Sequence, residues 1–276
     1  MAEMIDKLLE FLSEDLGAGD ITTDSVLPKN ALGQAVIIAK ETGVVAGERE
    51  VSLLFNHFGL EHDFLKKDGQ GIVKGETLVD IHGKLRDILK VERLVLNILS
   101  RMSGIATMTS DFSGVCEPYG VKIMGTRKTT PGFREFEKRA IELGGCLAHR
   151  KGLFDEILIK DNHIAIVGIK NAIKDARIKN PGEKIEIEVS SLEDATEAIN
   201  AGAEVLMLDN LSSDEAMEHI EKLEELGLRR AVEIELSGGI QRNNVKAFAK
   251  AGADRISVGA LTTASKWLDF SLKIKG

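Results

Sequence analysis

The chain has 276 residues, enough for one large domain or two small ones, and 43% apolar with 29% charged residues excludes wholesale disorder, collagen and coiled coil. A formal net charge of −8 argues against nucleic acid as the partner. The longest stretches free of Asp, Glu, Lys and Arg, such as Asn30 to Ala39, run to about ten residues, and a bilayer span needs about twenty. Met1 to Leu16 carries Glu3, Asp6, Lys7, Glu10, Glu14 and Asp15, so no apolar signal core is present and a cytoplasmic location is expected. Cys116 and Cys146 sit in no CxxC, which excludes a disulfide scaffold and a zinc knuckle.

In chain order, Met4 to Leu16 has a helical pattern, followed by the turn-rich Gly17-Ala18-Gly19-Asp20. Short apolar runs follow at Gln34–Ala39, Gly43–Ala46 and Gly71–His82. Asp68 to Leu78 alternates and turns like a tight β meander, similar to the sandwich of lipoyl and biotinyl carriers. No hairpin-tip lysine of that kind is present, so the segment is read as structural. Arg86 to about Glu117 is expected to be helical, with Gly104 a candidate break.

From Val121 onward the pattern becomes rhythmic. Strands are expected at 121–125, 156–159, 184–189, 204–208, 231–236 and 254–258. Helices are expected at about 132–144, 164–179, 191–201, 213–226, 241–251 and 260–272. Such alternation implies parallel βαβ units. Every strand ends in a polar residue or glycine, which favours a barrel with its chemistry on the C-terminal rim over an open sheet with one switch point.

Residues 122–151 hold eight Lys and Arg against three Glu, a basic pocket on an acidic body that suits a small anion. Glu135 to Arg139 within it is read as a solvated helix face. Arg127, Lys128, Arg150 and Lys160, with His149, stand at strand ends and adjoining loops, where arginine forks and lysine point charges bind carboxylate or phosphate. Glu188 and Asp209 end successive strands and suit magnesium held mainly through water and phosphates, or partner Lys128 and Lys160. Glu186 shares a face with Glu188, and either could be the active acid. Asp161 and Asn162 could cap the next helix. Ser237-Gly238-Gly239 and Val258-Gly259-Ala260 lie where such barrels hold phosphate. No GxSxG, GxGxxG or P-loop is present. The inventory suggests transfer of a phosphorylated group by positioning and electrostatics.

Several strings carry a family likeness in order along nearly the whole chain: Glu14 to Thr23, Glu92-Arg93, Ser103 to Thr107, Gly125 to Gly132, His149-Arg150, Ile159 to His163, Leu208 to Asn210, Leu236 to Ile240 and Ser257 to Leu261. They resemble the quinolinate phosphoribosyltransferases. The resemblance implies an N-terminal α/β sandwich, residues 1–118 with its linking helices, and an incomplete TIM-like α/β barrel, residues 119–276, whose C-terminal helix packs back on the first domain. It implies a pentosyltransferase that joins quinolinate to phosphoribosyl pyrophosphate (PRPP) with Mg2+, giving nicotinate mononucleotide, pyrophosphate and CO2 for NAD biosynthesis. Quinolinate would be held by Arg93, Arg127, His149, Arg150 and Lys160, with Thr126 beside them. PRPP and its metal would be held by Lys128, Glu188 and Asp209, and the 5′-phosphate by Ser237, Gly238, Gly239, Val258, Gly259 and Ala260. Lys128, Lys160, Glu188 and Asp209 would be catalytic. A homodimer or hexamer is implied, with Arg93 reaching the neighbouring site. Two departures flank His149: Cys146 stands where a third glycine is usual, and Ala148 where asparagine is common. Rival readings are a phosphoribosyltransferase for another pyridine acid such as nicotinate, a molybdenum-uptake-associated homologue, and a non-catalytic phosphosugar binder.

Overall fold

The computed structural model describes residues 2–275, and the chain divides into two compact units. The first comprises residues up to Ser110, Arg139–Gly145 and Ser265 onward; the second comprises Asp111–Lys138 and Cys146–Ala264.

The first unit starts with α1 (Ala2–Leu16) and α2 (Ile21–Val26), the latter capped by the Asp20 carboxylate accepting from Thr23 N. It continues through β1 (Leu32–Ala39), β2 (Gly43–Val44), α3 (Glu48–His57), β3 (Glu61–Phe64), β4 (Gly71–Ile72) and β5 (Thr77–Lys84). It ends in the last strand of the chain, Phe270–Lys275. That strand, β1, β5 and β3 form an antiparallel sheet in that order. Leu8, Phe55, Ile37, Leu78 and Ile81 are fully buried in this unit. Two short pieces, α2 and α3, and the strand β3 were not foreseen. In α2 and β3 the apolar residues are too few for a periodicity to emerge, whereas α3 carries Val51, Leu54 and Phe55 at i, i+3 and i+4, a helical signal the sequence offered.

Helix α4 (Leu85–Cys116) runs unbroken through Gly104. The expected break is absent because Gly104 serves close packing instead. A Cβ there would strike the Lys266 carbonyl oxygen and lie 3.2 Å from Trp267 Cα. In an open helix Gly→Ala gains about 1 kcal/mol. Here Gly104→Ala is expected to destabilise by about 1–3 kcal/mol through overpacking. Urea unfolding checks this, and a stabilised variant would reject it.

The second unit carries β6 (Lys122–Met124), β7 (Ile157–Ile159), β8 (Ile185–Val189), β9 (Val205–Asp209), β10 (Glu233–Ser237) and β11 (Arg255–Ser257). All pair in parallel, in the order β6-β11-β10-β9-β8-β7. A seventh position is reduced to one parallel bridge, Met124 to Leu147. The covering helices are α5 (Arg134–Leu143), whose first half belongs to this unit, α6 (Asp161–Val167), α7 (Ile169–Lys179), α8 (Leu192–Ala201), α9 (Ser213–Glu225), α10 (Val245–Lys250) and α11 (Ala260–Thr263). Each strand is short because only two or three residues per face are needed to cross the barrel.

Two expectations are corrected. The helix expected over 164–179 starts earlier, at Asp161, and splits at Gly168, whose φ of 76° interrupts the helical run. The helix expected over 260–272 ends at Thr263, and residues 270–275 form β12 (Phe270–Lys275). No C-terminal helix packs back. Phe270, Leu272 and Ile274 alternate, which is a strand pattern, and the antiparallel ladder with β1 satisfies their backbone.

Candidate active site

Parallel strands of period two send alternate side chains into the barrel. Glu188, Met207, Asp209, Ser237 and Ser257 come from the C-terminal ends of β8 to β11 and line one cleft of about 300 Å³. Thr126, Arg127 and Lys128, beyond β6, line it too, as do His149 and Arg150 beyond the Leu147 bridge, Leu158 on β7, and Lys160 after β7. Three cations expected to converge, Arg127, Arg150 and Lys160, thus share a cavity. Gly238, Gly239, Val258, Gly259 and Ala260 are not among its lining residues, although Ser237 and Ser257 next to them are. Arg93 is exposed on α4 in the first unit, also outside that set.

Local chemistry explains how the sequence builds this rim. Lys160 N donates to His163 Nδ1 (2.9 Å) and Asn162 N to Asp161 Oδ1 (2.7 Å), so Asp161, Asn162 and His163 organise the start of α6. That leaves the Lys160 ammonium to pair with Glu188 Oε1 inside the cleft. A Cβ on Gly259 would lie 3.1 Å from Lys128 Cδ, so its absence gives the lysine stem room. Gly238 has φ 95°, and a Cβ would lie 2.6 Å from Asn210 N. Asn210, itself at φ 59°, donates its amide to Asp209 Oδ2 (2.6 Å). Arg150 is buried, and burial followed by the Arg127 charge holds its guanidinium below the usual range. Two guanidiniums crowded this way favour an anion between them.

Sequence reasoning missed what lies deeper. His149 Nδ1 is 2.7 Å from Glu156 Oε2, and Nε2 is 3.6 Å from both Glu186 Oε2 and Glu235 Oε1. Arg255 Nε is 2.7 Å from Glu235 Oε2, and Ser257 donates to Glu235 Oε1 at 2.5 Å. Glu186 sits with this buried group, leaving Glu188 with Asp209 as the acids of the cleft. The signal was present in the alternation Glu186/Glu188, Glu235/Ser237 and Arg255/Ser257. Burial opposes charging of His149, but the surrounding carboxylates of Glu156, Glu235 and Glu186 outweigh it and hold the imidazole up to about 9. Burial, then the Glu235 charge, raises Glu186 to about 8. His149, Glu186 and Glu235 could geometrically hold a metal, with ligand atoms within 4.8 Å. The protonated imidazole and Arg255 already neutralise them, so they fit a cation poorly.

Both shifts have the same sign. His149 binds its proton more tightly folded than at the ordinary 6.5, and Glu186 more tightly than at 4.5. The resulting stability is full at low pH and lost as pH rises through about 8 and about 9. Unfolding free energy is therefore expected to fall between about pH 4.5 and 9, through Glu186 from 4.5 to about 8 and through His149 from 6.5 to about 9. Glu186→Gln should flatten the profile. An equally steep profile in the variant rejects the assignment.

The solvated-face reading of Glu135 to Arg139 is corrected in part. Glu137 and Lys138 are buried at 0% and 2% exposure, and Arg139 pairs with Glu50 (3.0 Å) and Asp68 (2.6 Å). Cys146 is also buried, which pushes its thiol up to about 12 and leaves it inert.

An incomplete α/β barrel whose strand tips gather arginine and lysine beside two carboxylates fits a transferase that works on an anionic substrate by electrostatic positioning. Comparisons with known proteins make this specific. Residues 20–103 match the quinolinate phosphoribosyl transferase N-terminal domain and residues 105–273 its C-terminal domain. The chain belongs to the quinolinate phosphoribosyltransferase family. It is 40% identical to a probable carboxylating nicotinate-nucleotide pyrophosphorylase of Methanothermobacter thermautotrophicus, over 99% of both chains. It is 41% identical to one of Bacillus subtilis, over 97% of this chain and 92% of the other. A solved nicotinate-nucleotide pyrophosphorylase from Francisella tularensis superposes with TM-score 0.92 at 34% identity, covering 99% of this chain and 96% of the other. No described helix is long and apolar enough to cross a membrane.

Proposed function

We propose that this chain is a carboxylating pentosyltransferase. It moves phosphoribosyl from PRPP to quinolinate and releases pyrophosphate and CO2, giving nicotinate mononucleotide for NAD biosynthesis. The observation that carries the reading is the shared cleft of Arg127, Arg150 and Lys160 beside Glu188 and Asp209. Quinolinate is a dianion, and desolvating two carboxylates needs several cations. Arg127 and Arg150 bind them as forks, and His149 lines the same cleft with its charge balanced by the carboxylates behind it. Arg93 completes the set from a neighbouring subunit in a homodimer or hexamer.

The quinolinate ring nitrogen attacks the ribose anomeric carbon as the pyrophosphate C–O bond breaks. Glu188 stabilises the oxocarbenium-like ribose. The product ring is a pyridinium, which accepts the electron pair left when the adjacent C–C bond breaks and CO2 departs; a proton then takes the vacated position. Lys160 steers the departing carboxylate. Lys128 holds PRPP phosphate oxygens, with the Ser237–Gly239 and Val258–Ala260 turns at the 5′-phosphate.

Glu188 and Asp209 offer hard oxygens in one cavity, a donor set that fits Mg2+ bound mostly through water and phosphate. Bound there, the ion supplies charge neutralisation of the leaving pyrophosphate. A cytoplasmic location fits this metabolic role.

The deciding experiment mixes protein, Mg2+ and PRPP with quinolinate or nicotinate. Nicotinate mononucleotide and CO2 from quinolinate alone are expected. Turnover of nicotinate alone overturns the substrate assignment.

A further inference from the structure

The two cation pairs sit on loops with little ladder support. His149 and Arg150 follow a single bridge at Leu147, and His149 has a left-handed φ of 56°. Arg127 and Lys128 lie in the irregular stretch before α5. Side-chain ties from α5 replace the missing backbone ladder. Arg134, Glu137 and Lys138, at i, i+3 and i+4, share one helix face. Arg134 donates from Nε to Thr129 Oγ1 (2.9 Å) and from Nη1 to the Lys151 carbonyl (3.0 Å). Glu137 accepts from Thr130 N (3.1 Å) and Thr130 Oγ1 (2.9 Å). Lys138 Nζ donates to the Ala148 carbonyl. Helix α5 therefore holds each loop at two points: Thr129 and Thr130 directly after Arg127-Lys128, where Thr262 Oγ1 also donates to the Lys128 carbonyl (2.6 Å), and Ala148 and Lys151 on either side of His149-Arg150. None of the three helix residues lines the cleft. Glu137 and Lys138 are buried, and breaking a buried polar tie by removing one partner is strongly destabilising, so these ties hold the loops firmly.

We propose that this face of α5 sets the separation between the Arg127/Lys128 pair and the His149/Arg150 pair, and so selects a substrate with two adjacent carboxylates over one with a single carboxylate. The inference rests on the quinolinate reading above and assigns Arg134, Glu137 and Lys138 as positioning residues.

The test compares binding of phthalate, a ring with two adjacent carboxylates, and benzoate, a ring with one, to the wild type, Lys138→Met and Arg134→Met. Benzoate is measured by competition. A single carboxylate can follow one loop, but two need both loops in register. Phthalate affinity is expected to fall at least about tenfold in each variant while benzoate changes less than about threefold. In turnover, KM for quinolinate should rise and KM for PRPP stay within about twofold. A ratio of phthalate to benzoate affinity that stays at the wild-type value, whether both fall or neither does, overturns the proposal. Thermal unfolding of each variant accompanies binding, and the half-buried Arg134 is the safeguard should Lys138→Met fold poorly. Failure of the functional reading is separate, since it would show in the wild type as turnover of nicotinate in place of quinolinate.

Discussion

Lys160→Met is expected to lower kcat with quinolinate by about 10²–10³-fold, the range for removing one preorganised charge from a transition state. The lysine stem is retained and only the ammonium is lost. That ammonium faces the cleft, paired with Glu188. In the proposed role it would meet the substrate where charge moves as CO2 leaves, so its contribution would grow along the reaction and fall on kcat. The KM for PRPP should change less than about threefold. Steady-state kinetics with each substrate varied separates the two, and equal losses in kcat and PRPP affinity would refute the role of Lys160.

Arg150→Met is expected to weaken quinolinate binding by about 10²-fold, as a charge-assisted fork in a desolvated site is worth about 2–3 kcal/mol. Unliganded protein should be no less stable. Burial and the neighbouring Arg127 already disfavour the Arg150 charge, so the fold carries this cation at a cost that only an anion relieves. Wild-type protein should therefore gain thermal stability on adding quinolinate, and the variant should lose most of that gain. A drop in the melting temperature of the unliganded variant would show that Arg150 serves the fold instead.

Much of the barrel was legible because each strand is a β-rich run beside an amphipathic helix. The rim residues stood at strand ends, where period-two geometry places them. Arg127, Arg150 and Lys160 could be grouped from that rule. The deeper burial of Glu186 relative to Glu188 could not, since both share a strand face and differ only in depth. Glu137 and Lys138 were read as solvated because charge in a helix suggests a wet surface, and partners such as the Ala148 carbonyl ten residues away are invisible to local pattern. The end of the chain is a different case, since the alternation of Phe270, Leu272 and Ile274 was legible as a strand. Residues 270–275 become a strand because β1 offers an antiparallel edge.

Local pattern and motif were thus enough for the class of fold, the family and the cations of the cleft, because these follow from periodicity and from residues adjacent in the chain. Which acid lines the cleft, which charges are buried and how far apart the two cation-bearing loops stand were settled only when distant segments packed. Burial and hydrogen-bond partnership are properties of neighbours in space, and the chain order does not specify them.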